Sequence, residues 1–193
     1  YVFVGMMFYA LELYADFTGG IDVTIGVAEV LGIRLTENFH RPFFSKSIKE
    51  YWNRWHITMG TWFTDYIFYP ISVCGPMLKL SKFSRKKLGE NLGKRVPIYL
   101  SSFAVSLATG IWHGASWNFV IWGLLNGLGV AFNNINPKPI KNKFISWLCT
   151  FSYVIFTFLF FRCETINDVG IVLKGLMNPV GVKFAVDMAQ YMD

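Results

Sequence analysis

Long apolar runs broken by short polar segments, without period-two alternation, set the pattern of this chain and predict helices throughout. Residues 1–33 are apolar stretches interrupted by Glu12, Asp16, Gly19, Gly20, Asp22 and Glu29, and Tyr14-Ala-Asp-Phe-Thr-Gly-Gly-Ile-Asp22 has the turn residues of a break between two helices. The acids predict faces that look inward, with carboxylates paired or capping helix ends in preference to lining a polar cavity. Residues 34–46 are mixed polar and aromatic, as at a membrane surface, and Pro42 prevents an uninterrupted helix there. His40, beside Arg41, reads as a loop histidine.

Ser47-Ile-Lys-Glu50 is a capping-box pattern and predicts a helix start. On helical geometry Trp52, Met59 and Phe63 share the face of His56, with Ile48 and Trp55 flanking, while Glu50, Arg54 and Asp65 lie opposite. Glu50 and Arg54 form a favourable i,i+4 pair. The pattern continues through Trp62-Phe-Thr-Asp-Tyr-Ile-Phe-Tyr69 and reads as one amphipathic interfacial helix. A short apolar piece, 71–78, precedes a basic loop, 79–95.

The apolar run 96–132 would extend about 54 Å as one helix against a hydrocarbon core of about 30 Å, so it should break or fold back. Gly110 and Gly114 bracket the expected place and form a Gly-x-x-x-Gly, a spacing repeated by Gly123 and Gly127 that permits close helix approach. A Pro-containing basic loop, 133–143, follows. Residues 144–161 carry no charge and are closed by Arg162, which makes them the clearest spanning helix. Residues 162–193 alternate short apolar patches with Asp168, Lys174, Pro179, Lys183 and Asp187, as in an interfacial segment.

The expected fold class is therefore all-α: a polytopic membrane helical bundle with interfacial amphipathic helices and a broken or re-entrant helix near His113. Composition agrees, since the 193 residues are 53% hydrophobic and 16% charged, below the roughly 25% charged of a soluble domain. The formal charge of +6 lies in short segments between apolar runs, which points to cytoplasmic loops at a cell membrane and away from nucleic acid. Cys74, Cys149 and Cys163 make no disulfide framework. The chain starts at Tyr1 without a charged leader pattern, so no signal peptide is expected and residues 1–193 read as a single membrane domain that is part of something longer.

An ionisable group at membrane depth is a functional-site candidate, and His113 sits in the middle of the longest apolar run. Ser102, Ser106, Thr109 and Gly110 share its helical stripe. Residue type alone leaves a histidine that merely hydrogen-bonds across a helix interface open, for His113 as for His56. No Gly-x-Ser-x-Gly elbow and no cysteine beside histidine are present, so a covalent enzyme intermediate is not favoured. The two histidines lie in separate segments without an H-x-x-x-H pair or a carboxylate cluster, so no metal is expected.

Four blocks taken together, Asn38-Phe-His-Arg-Pro-Phe43, Ser47-Ile-Lys-Glu-Tyr-Trp-Asn-Arg-Trp-His-Ile57, Trp62-Phe-Thr-Asp-Tyr66 and Gly110-Ile-Trp-His-Gly-Ala-Ser-Trp-Asn118, resemble the membrane-bound O-acyltransferase family. The similar branch is the bacterial one of alginate O-acetyltransferases and teichoic-acid D-alanyl transfer proteins. Asp16-Phe-Thr-Gly-Gly-Ile-Asp22 with Ile25-Gly26 resembles the same branch. The stretch Tyr69-Pro-Ile-Ser-Val-Cys-Gly-Pro76 departs from the Gly-rich turn usual there, and the family's N-terminal helices are not in this chain.

The resemblance implies a membrane enzyme that moves an acyl group, acetyl in the first instance, from a cytoplasmic thioester to a hydroxyl of a cell-envelope polysaccharide or a relay protein. It implies His113 as the catalytic histidine and His56 as the second histidine of the same site. Asn118, Ser116, Trp112, Trp55, Arg54 and Asp65, which stand in the matched blocks, are the expected substrate-binding or orienting residues. No bound cofactor is expected; the thioester, acetyl-CoA or the phosphopantetheine of an acyl carrier protein, is a co-substrate. Implied partners are membrane lipid, that donor and an extracytoplasmic polysaccharide-modifying protein. Two alternatives are D-alanyl transfer from a carrier protein docked on the basic segment 79–95, and a non-catalytic transporter or assembly subunit with Asp16, Asp22, His56 and His113 along a pathway.

Overall fold

A computed structural model of the chain describes residues 2–135 and 140–177. The middle of the basic loop at 136–139 and the expected interfacial residues 178–193 lie outside the described residues. The described residues form helices joined by turns and, between residues 31 and 41, by a longer irregular loop, without a strand.

Helix α1 spans Val2–Val30 without interruption, so the break expected at 14–22 does not occur. The hydroxyl of Thr18 donates to the Tyr14 carbonyl at 2.6 Å and that of Thr24 to the Gly20 carbonyl at 2.8 Å, so these side chains bond back onto the helix instead of opening a turn. Each glycine costs the helix about 1 kcal/mol relative to alanine, which a helix of this length carries. Glu12, Asp16, Asp22 and Glu29 are exposed and, among the described residues, form no ion pair, contrary to the inward-facing pairing expected of them.

The capping box forms at the start of α2, Ile48–Trp52: the Ser47 hydroxyl accepts from the Glu50 N–H at 3.1 Å. Glu50 reaches back one residue further than the pattern requires, accepting from the Lys46 N–H at 2.7 Å. The helix does not run on to residue 69. It ends at Trp52, and the chain passes through an irregular corner before α3, Ile57–Phe63, a π-helical turn, Thr64–Phe68, and α4, Tyr69–Val73. The cause is an outside partner: the His40 N–H donates to the Arg54 carbonyl and the Ile57 N–H to the Asn38 carbonyl, both at 2.9 Å, so the loop at 38–40 takes backbone groups that a continuous helix would have used.

The basic stretch expected as a loop is mostly helical, within α5, Gly75–Gly93. Gly89 adopts φ 79° and folds the end of α5 back until Gly93 meets the backbone of Ser84 and Arg85, where a β-carbon would not fit. The lysines remain exposed, so lysine repulsion is relieved by water and the helix stands.

The break in the long apolar run falls where the glycines place it. Helix α6 spans Val96–His113 and α7 spans Trp117–Ile135, and they return on each other as a hairpin. Helix α8, Lys143–Arg162, is the one described helix long and apolar enough to cross a membrane. Its N-cap is Asn142, whose side chain accepts from the Phe144 and Ile145 N–H groups. Helix α9, Ile166–Met177, completes the described chain.

Helix α8 is the post on which the rest is mounted. Its Val154, Ile155 and Phe158 are buried with Ala10 of α1 and with Ile48, Tyr51 and Trp55, while Leu159 and Phe160 are buried with Trp122 of α7 and Val169 and Val172 of α9. At its N-terminal end, the Trp147 indole donates to the Phe43 carbonyl at 2.8 Å and the Ser146 hydroxyl to the Lys46 carbonyl at 2.6 Å. The loop before α2 is thereby pinned to the same helix that carries the α6–α7 hairpin.

Candidate active site

His56 occupies the corner between α2 and α3 in the left-handed region, φ 45° and ψ 59°. A residue with a β-carbon is uncommon there, and such strain persists only where surroundings enforce it. Here the Asn38 side chain does so: its Oδ1 lies 2.9 Å from His56 Nδ1 and accepts from the Thr58 N–H at 3.1 Å and the Thr58 hydroxyl at 2.5 Å. The imidazole packs edge-on against Phe17 of α1, with ring centroids 4.8 Å apart, and stacks on Phe39. Burial pushes its pKa below the ordinary histidine value.

His113 is the last residue of α6, immediately before Gly114. A β-carbon at Gly114 would lie 2.6 Å from the Phe119 ring, so a larger residue there would push that ring aside. The imidazole is half-buried among aromatic rings: Phe161 of α8 at 4.8 Å, Trp112 at 4.9 Å and Trp122 of α7 at 5.1 Å, all edge-on. Among the described residues neither of its nitrogens has a hydrogen-bond partner. A half-buried imidazole packed among aromatic rings is held in place while its acid–base chemistry stays available.

The segments that carry the two imidazoles, far apart in sequence, meet through aromatic rings: Trp122, beside His113, packs edge-on against Trp52 of α2 at 5.6 Å, and Trp112 against Phe63 of α3 at 6.3 Å. Between α3, the π-helical turn, α6 and α7 lies a cavity of about 770 Å³. Ser102, Ser106 and Thr109 line it, so the hydroxyl stripe read from the sequence faces an open space. Trp52, Met59 and Phe63 line it too, but His56 does not: the left-handed corner turns it out of the stripe that periodicity assigned to it. Neither imidazole is itself in the cavity wall; Trp122, which touches His113, and Ile57, which follows His56, are. Trp122 is buried and its indole N–H has no acceptor among the described residues.

The remaining sequence candidates scatter. Asp65 lines the cavity from the π-helical turn. Trp112 is exposed at the end of α6 and meets Phe63 edge-on. Trp55 is buried against Tyr51 and Phe158, Arg54 is held by Glu50 at 2.6 Å, and the Ser116 hydroxyl accepts from the Asn118 N–H at the start of α7. The Asn118 amide, 2% exposed, donates to the Cys163 carbonyl at 2.6 Å and so fastens α7 to the end of α8. Asn38 and Phe161, which contact the histidines directly, were not singled out from the sequence. Asn38 does open one of the resemblance blocks, the only signal that could have pointed to it.

Residues 1–167 match the model of MBOAT, the membrane-bound O-acyltransferase family. The chain is similar to the probable alginate O-acetylase AlgI of Pseudomonas syringae pv. tomato, 35% identical over 170 residues that make up 86% of this chain and 30% of that protein. It is similar to the peptidoglycan O-acetyltransferase of Helicobacter pylori, 32% identical over 180 residues, 90% of this chain and 31% of that protein. The teichoic acid D-alanyltransferase of Bacillus subtilis is 32% identical over 165 residues, 79% of this chain and 39% of that protein. The chain thus spans about a third of the length of these relatives.

Proposed function

The chain belongs to the membrane-bound O-acyltransferase family, and on that premise we propose that the protein of which it is part transfers an acyl group, acetyl in the first instance, from a cytoplasmic thioester to a hydroxyl of a cell-envelope polysaccharide or a relay protein. The observation that carries this reading is that the segments bearing His113 and His56 meet at one cavity, whose wall includes Trp122, which touches His113, Ile57, which follows His56, and the hydroxyl-bearing Ser102, Ser106 and Thr109. A thioester expels its thiolate without strong acid help, so the demanding step is making the alcohol nucleophilic. His113 takes the hydroxyl proton as the alcohol oxygen attacks the thioester carbonyl; the tetrahedral intermediate collapses, the C–S bond breaks, and the thiolate leaves toward the donor side with that proton returned to it as a free thiol, which restores the neutral imidazole. Ring contacts with Trp122 and Phe161 hold the imidazole in place for this step.

Acetyl-CoA or an acyl carrier's phosphopantetheine supplies the thioester, and the exposed basic helix α5 faces the cytoplasm in this reading. D-Alanyl transfer is the second reading, favoured by the similarity to a teichoic acid D-alanyltransferase and by the lysines of α5, which could dock an acidic carrier. The test is the full-length parent protein carrying His113→Ala, with its thermal unfolding measured alongside. Loss of ester from the envelope polymer in a folded variant supports the reading, and unchanged ester content overturns it. Pull-down of an acidic carrier, lost on charge reversal of Lys86 and Lys87, selects the second donor over the first.

A further inference from the structure

The Asn38 amide sits where it decides which nitrogen of His56 carries the proton. Its two ends are fixed independently. One atom faces the Thr58 backbone N–H at 3.1 Å, and a backbone N–H can only donate, so that atom is the amide oxygen. The other end faces the Thr36 carbonyl at 3.4 Å, which can only accept, so that atom is the NH₂ group. A flipped amide would set donor against donor at one end and acceptor against acceptor at the other.

The same oxygen lies 2.9 Å from His56 Nδ1. It has no proton to give, so the proton between them belongs to Nδ1. The left-handed corner at His56 and the Ile57 N–H bond to the Asn38 carbonyl hold the two side chains in register. Nε2, which has no hydrogen-bond partner among the described residues, is then the basic nitrogen of the neutral ring.

Resting on the acyl-transfer reading, we infer that Asn38 is a positioning residue that holds His56 as the Nδ1–H tautomer, making its Nε2 a proton acceptor in the acyl-transfer site. This separates the two histidines by constraint. His113 is placed by ring packing and can present either nitrogen, whereas His56 in its neutral form cannot donate through Nε2 to a developing oxyanion. Its fitting role is to relay the proton that His113 takes.

The experiment uses the full-length parent protein labelled with ¹⁵N-histidine, the His56 signals being assigned by their loss in His56→Gln. A pyrrole-type Nδ1 and a pyridine-type Nε2 at His56 are expected, with Asn38→Leu moving the proton toward Nε2, the site a free histidine side chain prefers. Asn38→Leu should lower kcat tenfold or more with little change in KM for the thioester donor. Asn38→Asp keeps the acceptor and should restore the Nδ1–H form and most of the rate. Its carboxylate favours the imidazolium, so the pKa of His56 rises and the acid limb of activity moves to higher pH. A wild-type His56 protonated at Nε2 overturns the inference even if Asn38→Leu fails to fold. So does an Asn38→Asp enzyme as slow as Asn38→Leu at every pH. A correct tautomer combined with full activity of His56→Gln overturns the role of His56 in acyl transfer and leaves the control by Asn38 standing.

Discussion

Gly110 and Gly123 face each other across the α6–α7 hairpin, so close that a β-carbon on Gly123 would stand 3.3 Å from the Gly110 α-carbon and 2.6 Å from the Ser106 carbonyl oxygen. One residue of each Gly-x-x-x-Gly pair supplies this contact. The outer members complete the seam, Gly114 under the Phe119 ring and Gly127 against Phe103 and Ser106. Because His113 ends α6 and Trp122 precedes Gly123, the seam sets the distance between the imidazole and its neighbour on α7.

Gly123→Ala should therefore destabilise the protein, by about 1–3 kcal/mol as for other overpacked interfaces. The obstacle is backbone, which cannot rotate aside. Gly20→Ala in α1, where nothing lies within 4 Å of the added carbon, should stabilise by about 0.5–1 kcal/mol through helix propensity. Thermal unfolding of the two variants in the same detergent gives opposite signs; equal shifts would remove the role assigned to the seam.

His113→Ala should lower acyl transfer about 10²- to 10⁴-fold, the usual contribution of a general base. Its ring makes no hydrogen bond among the described residues, so the unfolding midpoint should move far less than the rate. A rate reduced only in proportion to folded protein would identify a packing residue.

Asn118→Ala should act in the opposite way. Its amide bond to the Cys163 carbonyl is buried and is the polar tie between the start of α7 and the end of α8. Removing it leaves a carbonyl unsatisfied at a cost of about 1–3 kcal/mol. The melting temperature should fall, and the KM of the folded fraction for the thioester donor should stay near wild type. An intact melting temperature with a raised KM would make Asn118 a substrate-binding residue.

Asn133 caps α2 from the far end of α7, its Oδ1 accepting from the Ile48 N–H at 2.7 Å and the Lys49 N–H at 3.3 Å. Ser47 serves the next donor, that of Glu50. Asn133→Ala should cost about 1 kcal/mol, as loss of a helix cap does, and Ser47→Ala a similar amount. The two caps satisfy different N–H groups of one short helix, so the double variant tests whether α2 forms as a unit: a combined loss well beyond the sum indicates that it does.

Several features were written in the sequence because each depends on residues close together in the chain. The capping box at Ser47, the pairing of Glu50 with Arg54, the uncharged stretch of α8 and the glycine-bracketed break after His113 are of this kind. So are the hydroxyls of Ser102, Ser106 and Thr109, which periodicity put on one stripe and which do face one cavity. Hydropathy and spacing read an element's own faces, and these features ask for nothing more.

Other features needed the folded chain. Periodicity carried one helix through His56, whereas backbone and side-chain bonds from Asn38 and His40 bend the chain there. The glycines and acids of residues 14–22 read as a turn, yet α1 is continuous because its own threonines bond back to it. The cage around His113 includes Phe161, placed only when α8 stands against the hairpin. What a residue does within its own helix is encoded by its near neighbours. Which helix is overruled, and which ring meets which histidine, is fixed by hydrogen bonds and packing between distant segments, and those exist only once the whole chain has folded.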